Sequence, residues 1–259
     1  MELSSPGLET DLALLELQGS TVTDRGDHLV VRTVANPTFW WGNFVLVDGP
    51  ARAADLDRWV ATFEREHPDA AHCAIAFAEV GGDTAAWAEQ GWDVEVDVDL
   101  ATTAVPVGAD GADGIQVREL VTDADWEQSA EVGASGTPAD RRDTRLTFER
   151  RRAAAQRGLV ESGRARWFGA FDGDLLVSNL GIVRLGDLAR YQDVVTRASH
   201  RRRGIAGALV RAAGEWALED PSVTSLVIVA DLDGPARALY ERAGFVEVAR
   251  HVAVSRFAG

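Results

Sequence analysis

The chain has 259 residues, 46% of them hydrophobic, enough core material for one large domain or two ordinary ones. Its net charge of −15 argues against a nucleic-acid partner, which needs a basic footprint, and suits a cationic one. No apolar run approaches the roughly 20 residues of a membrane span and residues 1–11 are polar and acidic, so no membrane contact and a cytoplasmic location are expected.

In chain order, the first half offers a helix at 53–66, an apolar strand at 72–77, a helix at 83–90, a Gly91-Trp92 stop and an alternating strand at 94–100. Cys73, the single cysteine, lies in the apolar strand and reads as a buried thiol; a disulfide within the chain and a cysteine-based zinc site are excluded, and no metal is expected. Residues 106–114, rich in Gly, Ala and Asp, have linker composition. Beyond them come a strand at 115–121, a short helix at 123–131, an Arg-rich helix at 141–161 and a hairpin of 167–172 with 175–183 about Asp172-Gly173-Asp174. A strand at 191–196 then leads into Arg201-Arg202-Arg203-Gly204-Ile205-Ala206-Gly207. Here a helix starts, with Ile205, Ala208, Leu209, Ala213 and Trp216 on one face and Arg211, Glu215 and Glu219 opposite. A strand at 223–230, a helix at 234–243 and closing strands to Phe257 complete the order.

Charge divides unevenly along this order: residues 1–110 hold 5 arginines against 20 acids, and the remainder holds 21 of each. Every basic residue is arginine.

The run at 201–207 has the makings of an anion cradle. A helix N-terminus leaves unpaired N–H groups and a partial positive charge, and Gly204 lets the backbone approach an anion with no Cβ in the way. A second element follows: Asp233 as N-cap, Pro235 in the first turn, Ala236, Leu239, Tyr240 and Ala243 on one helical face, and Gly244-Phe245 as the stop. Together, Arg201, Gly204 and Ala206, then Ala236, Tyr240, Gly244 and Phe245, resemble the motif pair of the GNAT superfamily of acyl-CoA-dependent N-acetyltransferases. Two positions depart from it: Asp233 stands where the family has asparagine, and Ala198 where a proline is often found. The element order from 115 to 257 also matches, while the specific motifs are confined to 191–245.

The resemblance implies an α/β fold with a mixed central sheet and flanking helices, and acetyl-CoA as co-substrate. It further implies direct transfer of acetyl, in a ternary complex, to a primary amine of a small molecule or protein. Val194, Val195 and Thr196 would then lie along the pantetheine arm, residues 201–207 would hold the diphosphate, and Asp233, Ala236 and Tyr240 would complete the coenzyme site. Tyr240 would hydrogen-bond the departing thiolate, because with a phenol near 10 and a thiol near 8.5 full proton transfer is uphill by ~2 kcal/mol. Asp193 and Glu119 are candidate proton acceptors for the amine, with a water relay as the equal alternative. His200 reads as structural. A non-catalytic acyl-CoA-binding or scaffolding protein is the alternative, kept open by the departures at 198 and 233.

The two halves also match each other. Aligned on their glycines, residues 86–92 fall on 239–245, with Trp87 in the place of Tyr240. The first half has no R-x-x-G-x-A run, and Pro50 removes an N–H from the corresponding loop. Two tandem GNAT copies are therefore expected: a degenerate one at 1–105, a linker at 106–114 and a catalytic one at 115–259. The acceptor would meet the helices within 123–161 and the acidic first half.

Overall fold

The computed structural model describes residues 3–82, 84–108 and 113–257. In chain order they form α1 (Pro6–Leu17), β1 (Thr21–Asp24), β2 (His28–Arg32), β3 (Phe44–Pro50), α2 (Leu56–Glu66), β4 (His72–Glu79), α3 (Ala85–Glu89) and β5 (Asp93–Thr102). There follow β6 (Ile115–Glu119), α4 (Asp123–Gly133), α5 (Arg142–Glu161), β7 (Ala165–Asp172), β8 (Leu175–Leu185) and β9 (Leu188–Thr196). The last four are α6 (Ile205–Leu218), β10 (Ser225–Asp231), α7 (Pro235–Arg242) and β11 (Val246–Phe257). None of these helices is long and apolar enough to cross a membrane.

Two compact units result, and neither is continuous in sequence. The first comprises the described residues of Met1–Leu100, Val229–Arg237 and Glu247–Gly259; the second comprises those of Ala101–Ile228 and Ala238–Val246. This departs from the division expected at 1–105 and 115–259. The reason is strand pairing: β11 runs antiparallel beside β4, with Val252 opposite Phe77 and Phe257 opposite His72.

The strands of the first unit lie in the order β1-β2-β3-β4-β11-β5. Phe44, Leu46, Trp59, Phe63, Ile75, Phe77 and Trp87 form the centre of its core. Cys73 is buried in β4 as expected, and burial pushes its thiol up to about 12. Helix α1 is anchored through its N-cap: the Ser5 hydroxyl accepts from the Leu8 N–H at 3.1 Å and donates to Asp99 Oδ2 at 2.5 Å, which also accepts from Gly7 N–H at 2.9 Å. Asp99 is fully buried and faces His251 of β11 at 3.1 Å, in an ion pair whose angles lie outside hydrogen-bond geometry.

In the second unit the order is β6-β7-β8-β9-β10. The strands from β6 to β9 pair antiparallel, β7 to β9 as successive hairpins and β6 with β7 across the intervening α4 and α5, while β9 and β10 are parallel, joined by the crossover helix α6. Of the expected linker, residues 109–112 lie outside the described residues. Residues 106–108 are packed rather than free. Val107 N–H donates to Ala243 O at 2.8 Å, and a Cβ at Gly108 would collide with the carbonyl of Gly207, so Gly108 lets this segment run against the first turn of α6.

Candidate active site

The site begins where two strands stop pairing. β9 and β10 are in register only from Leu188 opposite Ser225 to Arg190 opposite Val227. Beyond that point the β10 side of β9 is an open strand edge, a row of backbone groups ready to pair with an extended molecule. A bulge lies within this stretch: Gln192 stands opposite Gly181 and Val195 opposite Asn179, so Asp193 and Val194 share one partner position. Asp193 has φ = 56°, a left-handed conformation unusual for a residue with a side chain.

Past Thr196 the chain turns into the cradle. Arg201 Nε donates to Thr196 O at 3.1 Å, closing the loop onto the strand end, and Arg203 reaches Asp113 O at 3.4 Å. Arg202 and Gly204 are left-handed, at φ = 61° and 79°, and Gly204 is the N-cap of α6. The first helical bond with Gly204 runs from Ala208 N–H to its carbonyl at 3.1 Å, which leaves the N–H groups of Ile205, Ala206 and Gly207 as the orphan donors of the first turn. At Gly207 there is open space where a Cβ would stand. An extended edge ending at a ring of free N–H groups matches a pantetheine arm ending in a diphosphate, so the residues present fit the expected coenzyme.

Tyr240 lies on the part of α7 that belongs to this unit and is 4% exposed. Burial pushes its phenol up to about 12. Its ring meets Phe245 edge-on at 6.2 Å, and Phe245 in turn meets Tyr191 of β9 at 5.7 Å. Tyr191 donates its hydroxyl to Val210 O at 2.8 Å, fastening β9 to α6.

The other expected residues divide. Val194, Val195 and Thr196 lie on the open edge, with Val195 O accepting from Ser178 Oγ at 2.8 Å on the β8 side. Glu119 is not brought to the site: it sits on the outer strand β6, paired with Arg166, three strand spacings or about 14 Å from β9. Asp193 is at the site, but both its oxygens are engaged from α5, Oδ2 by Gln156 and Oδ1 by Arg152. Asp233 and Ala236 fall in the stretch that packs with the first unit. There Asp231, rather than Asp233, caps the turn, accepting from Asp233 N–H on Oδ1 at 3.1 Å and from Gly234 N–H on its carbonyl at 3.0 Å. His200 bridges Asp172 at 3.3 Å and Ser199 at 2.9 Å, the structural role expected of it.

Sequence reading missed a small cavity beside the bulge, lined by Ser129, Glu149, Arg152, Gln156, Asn179 and Asp193 among others. Glu149 is buried there and paired with Arg145 at 2.5 Å. Gly133 makes the room, since a Cβ at that position would collide with the Glu149 carboxylate. A signal existed: Glu149, Arg152 and Gln156 recur at the i, i+3, i+7 spacing that normally marks a core face.

The first unit repeats these parts in closed form. Its parallel pair β3 and β4 runs in register to Val47 opposite Phe77, shifts by one residue and rejoins at Pro50 opposite Glu79, where Ala51 N–H donates to Glu79 O at 3.0 Å. The helix stops match bond for bond: Trp92 N–H reaches Trp87 O at 3.1 Å, as Phe245 N–H reaches Tyr240 O at 3.1 Å. Gly91 and Gly244 are left-handed in the same place, at φ = 81° and 99°.

Residues 163–247, from the start of β7 to the first residues of β11, match the family model described as an acetyltransferase (GNAT) domain. Over those residues the chain is similar to a GNAT acetyltransferase domain. Domains of this family transfer an acyl group from an acyl-CoA. No curated protein matches it by sequence. Among solved structures it is similar to a functionally unknown conserved protein from Staphylococcus epidermidis, with a TM-score of 0.72 at 11% identity over 93% of this chain and 95% of that one. A GCN5-related N-acetyltransferase from Kribbella flavida aligns with a TM-score of 0.65 at 15% identity, over 98% and 97% of the two chains. A tandem GNAT protein from the clavulanic acid biosynthesis pathway aligns at 0.57 and 18% identity, over 100% and 97%. At these identities the likeness is one of fold, and it extends to two GNAT copies in tandem.

Proposed function

We propose that the second unit transfers an acetyl group from acetyl-CoA to a primary amine of a small molecule or protein, by direct attack in a ternary complex, and that the first copy keeps the fold without binding coenzyme. The observation that carries this reading is the parting of β9 from β10 with the free N–H groups of α6 at its mouth, set against β3 and β4, which rejoin at Pro50 opposite Glu79 after a one-residue shift.

In the reaction the amine nitrogen bonds to the thioester carbonyl carbon, the C–S bond breaks, and the sulfur leaves with its electron pair. Tyr240 donates a hydrogen bond to that sulfur. With its phenol at about 12 and a thiol near 8.5, handing over the proton is uphill by ~5 kcal/mol, so the proton stays on oxygen while charge develops on sulfur. An alkylammonium near 10.4 must first lose a proton, costing ~4 to 5 kcal/mol at neutral pH. Because Arg152 and Gln156 occupy Asp193, water takes that proton. The acceptor approaches beside the bulge, where the polar cavity between α4, α5 and β9 has room for about one water.

Acetyl-CoA should raise the melting temperature of the parent protein, and Gly204→Glu, which puts a carboxylate into the diphosphate cradle, should remove the rise. An acceptor screen reading thiol release then identifies the amine. A parent protein whose melting temperature ignores acetyl-CoA would sink the proposal.

A further inference from the structure

We infer that Asp193 is a positioning residue, held by Arg152 and Gln156 of α5 so that β9 keeps the left-handed bulge on which the coenzyme edge depends; this rests on the coenzyme reading above. For a residue with a Cβ the left-handed region costs energy, and at Asp193 the groups that hold it there are on the page. Arg152 and Gln156, four residues apart on α5, take one carboxylate oxygen each. Arg152 is itself braced from behind by buried Glu149, Nε to Oε2 at 3.6 Å. Glu149, Arg152 and Asp193 thus form a chain of alternating charge from the helix to the bulge. The bulge in turn sets how β9 leaves β10, because an extra residue bends and twists the strand that carries it. A carboxylate held on each oxygen by a side chain of α5 is fixed in place, which fits an anchor.

The consequence is a dependence between positions. Glycine adopts φ = 56° with no enforcement, whereas a β-branched residue resists it. Binding of CoA to the full chain, measured by calorimetry, should therefore weaken at least tenfold in Asp193→Val and stay within about threefold of the parent in Asp193→Gly. Arg152→Met should weaken CoA about tenfold in the parent and have no further effect in the Asp193→Gly background. With the amine giving most thiol release, Asp193→Gly should retain turnover within about tenfold and keep the pH profile of the parent.

Parent-like CoA binding in Asp193→Val, or the same cost of Arg152→Met in both backgrounds, overturns the inference. So does a loss of turnover of a hundredfold or more in Asp193→Gly with CoA affinity intact, the signature of a proton acceptor. A parent that binds no CoA fails the coenzyme reading instead. Thermal unfolding of the same proteins then decides the clamp: Arg152→Met must destabilise the parent and spare the Asp193→Gly background.

Discussion

Tyr240 shows how a single side chain carries a prediction. Buried beside Phe245 with its phenol at about 12, it stays protonated across the working range, so it is a permanent hydrogen-bond donor. Replacing it with Phe keeps the ring packing and deletes the donor. Turnover should fall by a factor on the order of 10 to 100, as for loss of one charge-stabilising donor, while CoA affinity measured by calorimetry stays within about twofold. Because burial disfavours the phenolate, no loss of activity from this group should appear below about pH 11, and the parent and Tyr240→Phe profiles should run parallel up to there. The places of Tyr240 and Gly204 in the fold were legible in the sequence because they depend on backbone spacing, and spacing is what a sequence states directly. Asp193 and Glu119 were not. Both are acids on strands near the motif, yet one is tied up by a helix 37 residues away in sequence and the other lies three strands off.

At the scale of elements, the two parallel pairs make opposite statements about binding. β9 and β10 open after three register positions, whereas β3 and β4 rejoin at the end of β3 after a one-residue shift, with Pro50 close against Gly81 and Ala51 against Gly82. Calorimetry on the full chain should therefore give one CoA per chain, and Gly204→Glu should reduce that to none; residual binding near unit stoichiometry in the variant would mean the first copy is competent. Proline at position 50 announced part of this closure, but the continued pairing could not be read from residue types. Helix α1 was equally hidden: Leu8, Leu12 and Leu15 share a face, but Leu14 and Leu17 lie off it and blur the stripe. Its anchorage supplies a pH dependence. Burial alone would lower the His251 imidazolium, but its pairing with Asp97 at 3.5 Å and Asp99 at 3.1 Å outweighs that and raises it to about 9. Despite its burial, Asp99 is held below the usual carboxylate range by His251, Ser5 and Gly7. A histidine raised on folding stabilises fully below its unfolded value near 6.5 and loses that contribution as pH rises through about 9, while the Asp99 part is intact throughout that window. The urea midpoint of the transition that includes the first unit should fall between pH 6.5 and 9.5 by the equivalent of about 3 kcal/mol, and His251→Gln should flatten the slope.

For the whole molecule, the position of β11 decides what can fold alone. The sequence places it last, after the second copy's motifs, and the natural boundary between copies is the Gly-rich stretch at 106–114. Pairing preferences between strands far apart in sequence leave no local trace, so a division at that stretch is the expected one. Yet β11 lies between β4 and β5, closing the sheet of the first unit from inside. Its side chains finish that unit's contacts: His251 opposite Asp99, Arg256 stacked on Trp92 at 4.1 Å, and Phe257 edge-on to Trp40 at 4.7 Å. A fragment ending at residue 105 therefore exposes the facing edges of β4 and β5, buries Asp99 without its cation, and leaves two tryptophans uncovered. Together these faults destabilise by an amount comparable to a domain's whole margin of about 5 to 15 kcal/mol. Residues 1–105 expressed alone should lack a cooperative unfolding transition by near-ultraviolet circular dichroism. The same fragment followed by a Gly/Ser linker and residues 246–257 should regain one, with amide protection restored in β4 and β5. Cooperative unfolding of the bare fragment would show that β11 is dispensable, and that the contiguous division is the physical one.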